Sequence, residues 1–378
     1  MNFELNDEQR MLVDAAGRYV RETFDLELRR KVSATDEGFS RDRWANFADM
    51  GWLALSLPEE ADGLGWGVIE LSLLMEQLGR GLINEPVIDT SILCASVLSS
   101  ASNNTKSLDL LSRIGTGAAI VALAHIEPGG RSEFETTIDA TLTAKTGELV
   151  LNGTKRYVYF GHVADQLLVT AKLDGEQVVV VVPSEAEGIR CNSYVVIDGT
   201  RAADITFSNV SVEKDAVVLR GAAVTAALEL AFDLSIVANC SAAVGSMETV
   251  MDMTAEYLKQ REQYGKPLAQ FQALQHRLAE MLVETEQARS ILLRTLSLFD
   301  DPIERRAAVS GAKVLISKSA RWVAGQGIQL HGGIGTTEEF AVGHHYKAML
   351  VLEERFGSSD WHLDQCANKI GQDATTKA

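Results

Sequence analysis

Arg261-Glu262-Gln263-Tyr264-Gly265-Lys266-Pro267 puts an arginine, an amide and an aromatic ring beside two residues that end helices. A guanidinium is suited to bidentate binding of phosphate oxygens. Taken alone, the segment reads equally well as a solvated connector between helices. Farther along, a helical run meets Gln329-Leu330-His331-Gly332-Gly333-Ile334-Gly335, where glycines let bare backbone approach a ligand closely. An arginine together with exposed backbone amides can neutralise a diphosphate. Beyond it, Phe356-Gly357-Ser358-Ser359 makes a second turn before the tail, with Glu353, Glu354 and Asp360 around it.

Other chemistries find little support. His331, His344 and His345 lack a carboxylate–histidine spacing that suits a metal, so no metal site is expected. There is no P-loop, no G-x-S-x-G elbow and no G-x-G-x-x-G after a strand. Cys94, Cys191, Cys240 and Cys366 lie far apart without a C-x-x-C pair, and read as buried, reduced thiols.

The elements that must position these residues are bounded by length and charge. At 378 residues the chain can bury a large core and divide into two or three domains. With 46% hydrophobic and 23% charged residues it has an ordinary globular composition. A net charge of −17 argues against nucleic acid or an anionic membrane as partner, while leaving room for a phosphorylated ligand at a local site. No charged leader with an apolar core opens the chain and no apolar run reaches about 18 residues, so a cytoplasmic protein is expected.

Residues 1–118 read as helices. Asn6-Asp7-Glu8-Gln9 resembles a helix start, Val68 to Gly79 a further helix, and an apolar helix runs through Val97 after Asn84-Glu85-Pro86. Residues 119–220 change texture. Ile120 to Ala124 is a buried strand candidate; β-branched runs flank Asn152-Gly153 and Asp174-Gly175, which read as hairpin turns; Val195 to Ile197 and Ala203 to Val210 add strands. This middle segment is expected to be an antiparallel β-domain, a sandwich or barrel rather than a parallel sheet. From 221 to 378 long helices return (Leu228 to Tyr257, Gln270 to Ser297, Ile303 to Leu330), joined as an antiparallel bundle. The fold class is α+β, in the order α, β, α-bundle.

In this order, Gly51-Trp52-x-x-Leu55-x-x-Pro58-Glu59-Glu60, Arg261-x-x-Tyr264-Gly265-Lys266, Phe271-Gln272-x-x-Gln275 and Gln329-Leu330-His331-Gly332-Gly333-Ile334-Gly335 resemble the flavin-dependent acyl-CoA dehydrogenases, over almost the whole chain. The resemblance implies FAD at a subunit interface, an acyl-CoA substrate and an acceptor of the electron-transfer-flavoprotein type. It also implies α,β-dehydrogenation of the thioester to the 2-enoyl-CoA, in a homotetramer or an α2β2 assembly with a homologous partner. Carried over by motif, Arg261, Gln263, Tyr264, Gln329, Gly332 and Gly333 would contact FAD across the interface and Tyr157 would stack on the chain's own side, with Gln272 and Ser358 as further cofactor contacts.

The same resemblance exposes losses. Where the family has a T-E-P-x-x-G-S-D segment, this chain has Ile126-Glu127-Pro128-Gly129-Gly130-Arg131-Ser132-Glu133. Its N-G-x-K-x-W-I-T segment becomes Asn152-Gly153-Thr154-Lys155-Arg156-Tyr157-Val158-Tyr159, where Tyr157 can still stack on a flavin. The reaction needs a carboxylate over the substrate Cα. Phe356 occupies the usual glutamate position before Gly357, and Ser235 the alternative position on the first bundle helix. Three readings stay open. The chain is the base-lacking subunit of a heteromeric enzyme like those of sterol side-chain degradation; or a self-sufficient enzyme with Asp233, Glu353, Glu354 or Asp360 as relocated base; or a non-catalytic acyl-CoA- or protein-binding module.

Overall fold

The computed structural model describes residues 4–145 and 148–376. Helix α1 (Asp7–Thr23) starts at the expected place and on a capping box: Asn6 Oδ1 accepts from Gln9 N at 2.8 Å and Gln9 Oε1 accepts from Asn6 N at 3.0 Å. Helices α2 (Leu26–Ser33), α3 (Arg41–Asp49) and α4 (Val68–Arg80) follow. The apolar segment expected as an ordinary helix is a wide π-helical turn over Val87–Cys94 that runs into α5 (Ala95–Ser99). Nearly all of it is buried, so packing overrides the local preference. Helix α6 (Thr105–Gly115) closes the segment.

Strands β1 (Val121–Ala124), β2 (Thr141–Lys145), β3 (Glu148–Tyr159), β4 (Gln166–Leu173), β5 (Glu176–Pro183), β6 (Ile189–Val195), β7 (Arg201–Val212) and β8 (Val217–Arg220) form one sheet. Its order is β6-β7-β3-β2-β4-β5-β8, with β1 on β4. The pairings are antiparallel except that β1 and β2 run parallel to β4. A fully antiparallel domain was expected; the intervening β2–β3 hairpin makes the connection to β4 long enough to return in the same direction.

The two glycine signals divide. Asp174-Gly175 is the β4–β5 hairpin turn, with φ of 53° and 85°, both positive as a tight hairpin requires. Asn152-Gly153 is no turn: it lies inside β3, where the register against β7 shifts between Leu151 and Gly153. A Cβ at Gly153 would stand 2.6 Å from the Ala140 Cβ, so close approach, not turning, requires glycine there. The β2–β3 connection at 146–147 lies outside the described residues. The strand expected at Val195 to Ile197 ends instead at Val195, and Val196 N closes a turn onto Thr200 O at 2.8 Å.

Helices α7 (Ala222–Gln260), α8 (Gln272–Leu298), α9 (Arg305–His331), α10 (Ala341–Glu354) and α11 (Ser359–Thr376) form the C-terminal bundle, with a small hairpin of β9 (Glu262–Gln263) and β10 (Lys266–Pro267) between α7 and α8. Against expectation, α7 contains an 18-residue window apolar enough to cross a membrane by composition; 67% of it is buried, the signature of a core helix. Compactness divides the described residues into two units. The first contains residues up to Lys31, Val68–Ile83 and Ile236 onward; the second contains Val32–Gly67 and Asn84–Ser235.

Within the first unit α4 meets α7 backbone to backbone. A Cβ at Gly79 would fall 2.1 Å from Ala242 O, and one at Gly245 1.9 Å from Glu76 O. An ion cluster crosses the same contact and reaches α8: Arg289 bonds Glu76 at 3.0 Å and also Glu248, which pairs with Arg80. The four cysteines are unpaired. Cys94 and Cys240 are buried as expected, but Cys366 is half-buried and Cys191 is exposed on β6.

Candidate functional site

The groove in the first unit is built where α7 ends. The Arg261 N–H donates to Tyr257 O and its carbonyl accepts from Leu268 N, each at 2.8 Å, which fixes the backbone on both sides of the guanidinium. Tyr264 and Gly265 turn the β9–β10 hairpin at φ of 55° and 78°, and Tyr264 is 92% exposed. Opposite, α9 ends at His331 and the chain turns at Gly332, φ 65°. His331 is a buttress: it is buried, it stacks on Tyr257 at 4.6 Å, and its Nδ1 bonds Gly327 O at 2.7 Å. Burial lowers its pKa, so the ring packs neutral.

The resulting groove measures about 770 Å³ and brings together Arg261, Gln263, Gln329, Gly332 and Gly333, with Leu268, Leu274 and Ile334 as apolar wall. A Cβ at Gly332 or Gly333 would meet nothing within 4 Å, so this backbone borders open space. Gly335 serves packing instead, since a Cβ there would sit 2.8 Å from Ile328 O. Tyr264 and Gln272 are exposed neighbours in the same loop and helix start, and do not line the groove. Arg277, which the sequence reading passed over, does line it. Its position one turn and a half into α8, on the face that also carries Leu274, was the available signal.

The expected base positions hold no competent base. Phe356 is fully buried at φ 59°, with the Arg355 guanidinium 4.9 Å from its ring centre. Its carbonyl accepts from His362 Nε2 at 2.8 Å, and His362 Nδ1 faces Ser310 Oγ at 3.0 Å. Burial pushes His362 down to about 4, so a neutral imidazole holds this turn. Ser358 is half-buried and starts α11, its Oγ accepting from Trp361 N at 3.3 Å. In the second unit Ser235 is fully buried and its hydroxyl donates to Ala231 O at 2.7 Å, a bond within its own helix. Asp233 is also buried there. Of the remaining carboxylates, Glu353 pairs with Arg321 at 3.5 Å, and Glu354 and Asp360 are exposed.

The second unit carries the segments matched to the flavin side. Ile126 is buried and its carbonyl accepts from Arg156 N at 2.7 Å. Tyr157 sits where β3 bulges against β7, at φ 53° and 45% exposed, with the Arg156 guanidinium 5.0 Å from its ring centre. Beside them lies a pair that sequence reading missed. Lys155 Nζ is wholly buried and bonds Glu127 Oε1 at 2.6 Å, with His125 O and Thr170 Oγ1 each at 3.2 Å. Burial pulls Lys155 down to about 8 against the raising effect of Glu127. For Glu127, burial pushes upward, but Lys155 and the Ala140 and Asp139 N–H donors outweigh it and the net shift is down. Nothing in the spacing of Glu127 and Lys155 predicts this pairing, which a strand alignment creates. Among the described residues there is no cluster of three or more metal-ligating side chains.

The chain thus joins helical, sheet and bundle segments, with a glycine-lined groove at the end of a bundle helix. Residues 6–117 match the acyl-CoA dehydrogenase N-terminal domain and residues 224–371 the acyl-CoA dehydrogenase C-terminal domain, so the chain belongs to the acyl-CoA dehydrogenase family. It is similar to the probable acyl-CoA dehydrogenase YngJ of Bacillus subtilis, 27% identical over 95% of this chain and 97% of that protein. In fold it is similar to the ChsE4–ChsE5 complex of Mycobacterium tuberculosis (TM-score 0.87, 22% identity, 98% of this chain and 99% of that one). It also resembles a variant of the Tcur3481–Tcur3483 steroid ACAD (TM-score 0.84, 24% identity, 98% and 99% covered).

The family's cofactor is FAD. The groove fits its diphosphate end: it offers bare glycine backbone and two guanidiniums, Arg261 and Arg277, that have no ion-pair partner among the described residues. In a chain of net charge −17, cations left unneutralised beside open backbone suit an anionic ligand.

Proposed function

We propose that this chain is one subunit of a heteromeric acyl-CoA dehydrogenase. It offers Arg261, Gln263, Gln329, Gly332 and Gly333 to FAD across an interface, while a homologous partner supplies the catalytic base. The observation that carries this reading is Phe356: the position where the family keeps its glutamate is filled by a fully buried ring whose backbone is tied down by His362. A phenylalanine side chain offers no proton acceptor there. Bound FAD would supply the hydride acceptor for the substrate β carbon; this chain's part would be to hold its diphosphate. The assembly would convert an acyl-CoA thioester to the 2-enoyl-CoA in the cytoplasm and pass electrons to an acceptor of the electron-transfer-flavoprotein type. Likeness to a steroid ACAD and to the ChsE4–ChsE5 complex supports an α2β2 arrangement and a sterol side-chain acyl-CoA as substrate. Tyr264, Gln272, Tyr157 and Ser358 complete the proposed cofactor contacts, and limits at 118 and 220 are proposed for the helical, β and bundle domains.

The test is expression of the chain alone and with homologous candidate partners, followed by flavin absorbance and its bleaching on adding acyl-CoA. Flavin that is retained and bleached only on co-expression is expected. Yellow, bleachable protein from this chain alone would overturn the heteromeric reading in favour of a relocated base such as Glu353. Protein without flavin in every pairing would favour a non-catalytic binding module.

A further inference from the structure

Two guanidiniums line the groove, and only one belongs to the motif that drew attention to it. Arg277 lies on α8, and its Nη1 donates to Gln326 Oε1 at 2.9 Å. Gln326 is on α9, one turn before Gln329, so this bond braces the arginine from the helix whose end forms the glycine turn. The brace is neutral. Several arginines of this acidic chain are neutralised by carboxylates, as Arg43, Arg80, Arg156, Arg220 and Arg289 are. Arg261 and Arg277 do not, among the described residues. An amide fixes a guanidinium's plane without consuming its charge, which leaves its other N–H donors for a ligand. A diphosphate carries charge on both phosphorus centres, and one arginine faces only part of it.

We propose that Arg277, positioned by Gln326, is a second cation for the FAD diphosphate in this groove. The proposal rests on the FAD reading of the groove, and adds a binding residue and a positioning residue outside its sequence motifs. Because the site is open to solvent, the attraction is partly screened by salt, and it is best read at low ionic strength.

The experiment strips flavin from the full-length chain in the assembly it forms in cells and titrates it with ADP by calorimetry and with FAD by fluorescence quenching. Arg277→Ala is expected to weaken both by about tenfold or more, as loss of a charge-assisted bond does. Arg277→Lys, which keeps the charge, should hold within about threefold of wild type. Gln326→Leu should weaken binding by a smaller factor, and adding it to Arg277→Ala should cost nothing further, because its effect runs through Arg277. The Arg277→Ala loss should shrink at high salt, which a merely structural defect would not do. If Arg261→Ala weakens ADP while Arg277→Ala and Gln326→Leu match wild type, the second cation is refuted and the FAD groove stands. If the wild-type assembly binds neither ADP nor FAD, the groove reading fails and this proposal falls with it. Should Arg277→Ala not fold, Arg277→Gln and Gln326→Leu decide: wild-type affinity and salt dependence in both would refute it.

Discussion

Replacing Glu127 by Gln isolates the most consequential polar contact in the β-sheet unit. In the native chain the Glu127 carboxylate is bonded by Lys155 Nζ at 2.6 Å and by the N–H groups of Asp139 and Ala140 at 2.9 and 3.0 Å. Glutamine preserves shape and part of the bonding, but leaves a wholly buried ammonium with neutral acceptors only, His125 O and Thr170 Oγ1 among them, and no counter-charge. Breaking a buried pair by removing one partner costs about 3–5 kcal/mol, because the surviving charge is stranded. The pH dependence follows from Lys155. Its folded pKa, about 8, lies below the unfolded value, so its protonated form is a cost to the folded state that is relieved as pH rises through the folded pKa. Without Glu127, which raises that pKa, relief begins at lower pH, so the variant's deficit against wild type closes as pH climbs toward about 8. Glu127 works in the other direction. Its folded pKa is lowered, so its contribution is present above its unfolded pKa and lost in acid. The deficit is therefore widest above the unfolded carboxylate pKa and below the pH at which the stranded Lys155 loses its proton. Urea unfolding followed by tryptophan fluorescence measures it, with Trp44, Trp52 and Trp66 in the same unit as reporters. The double variant Glu127→Gln, Lys155→Met should recover most of the loss, since no charge remains buried. An unchanged midpoint in Glu127→Gln, or a deficit that widens toward pH 8, would refute the argument.

Other expectations follow from the same geometry. Phe356→Ala should destabilise the chain by about 3–5 kcal/mol, the usual cost of emptying a buried aromatic site, read as a lower thermal midpoint; a small shift would mean the ring is not structural. Ser235→Ala should leave turnover of the assembled enzyme unchanged and alter stability by about 1 kcal/mol or less, since the hydroxyl bonds only within its helix; a large loss of turnover would restore Ser235 to the chemistry. Arg261→Ala should lower the FAD retained through purification of the assembly, and full retention would argue against the diphosphate groove.

Several features were legible because they are local. The helix start at Asn6, the Asp174-Gly175 hairpin and the long bundle helices depend on neighbours in sequence, and the periodic patterns declare them. The same logic misread Asn152-Gly153. A turn dipeptide and a bulge glycine share one composition, and only the approach of Ala140, just before β2, tells them apart. The wide turn at Val87–Cys94 and the apolar window of α7 were missed for a similar reason: burial, not propensity, sets both.

By itself the sequence determined the α–β–α order and the family, and it put a phenylalanine at position 356, since each depends on residue identity along the chain. It also marked Arg261 and Gly332-Gly333 as partners, though they are far apart in the sequence. Tertiary structure decided the rest. It made Phe356 a buried plug rather than an open gap, locked Ser235 into its helix and joined Glu127 to Lys155. It brought Arg277 into the groove on an amide brace from a different helix. Those outcomes depend on which side chains meet across elements, and burial and pairing are properties of the meeting, absent from either residue alone.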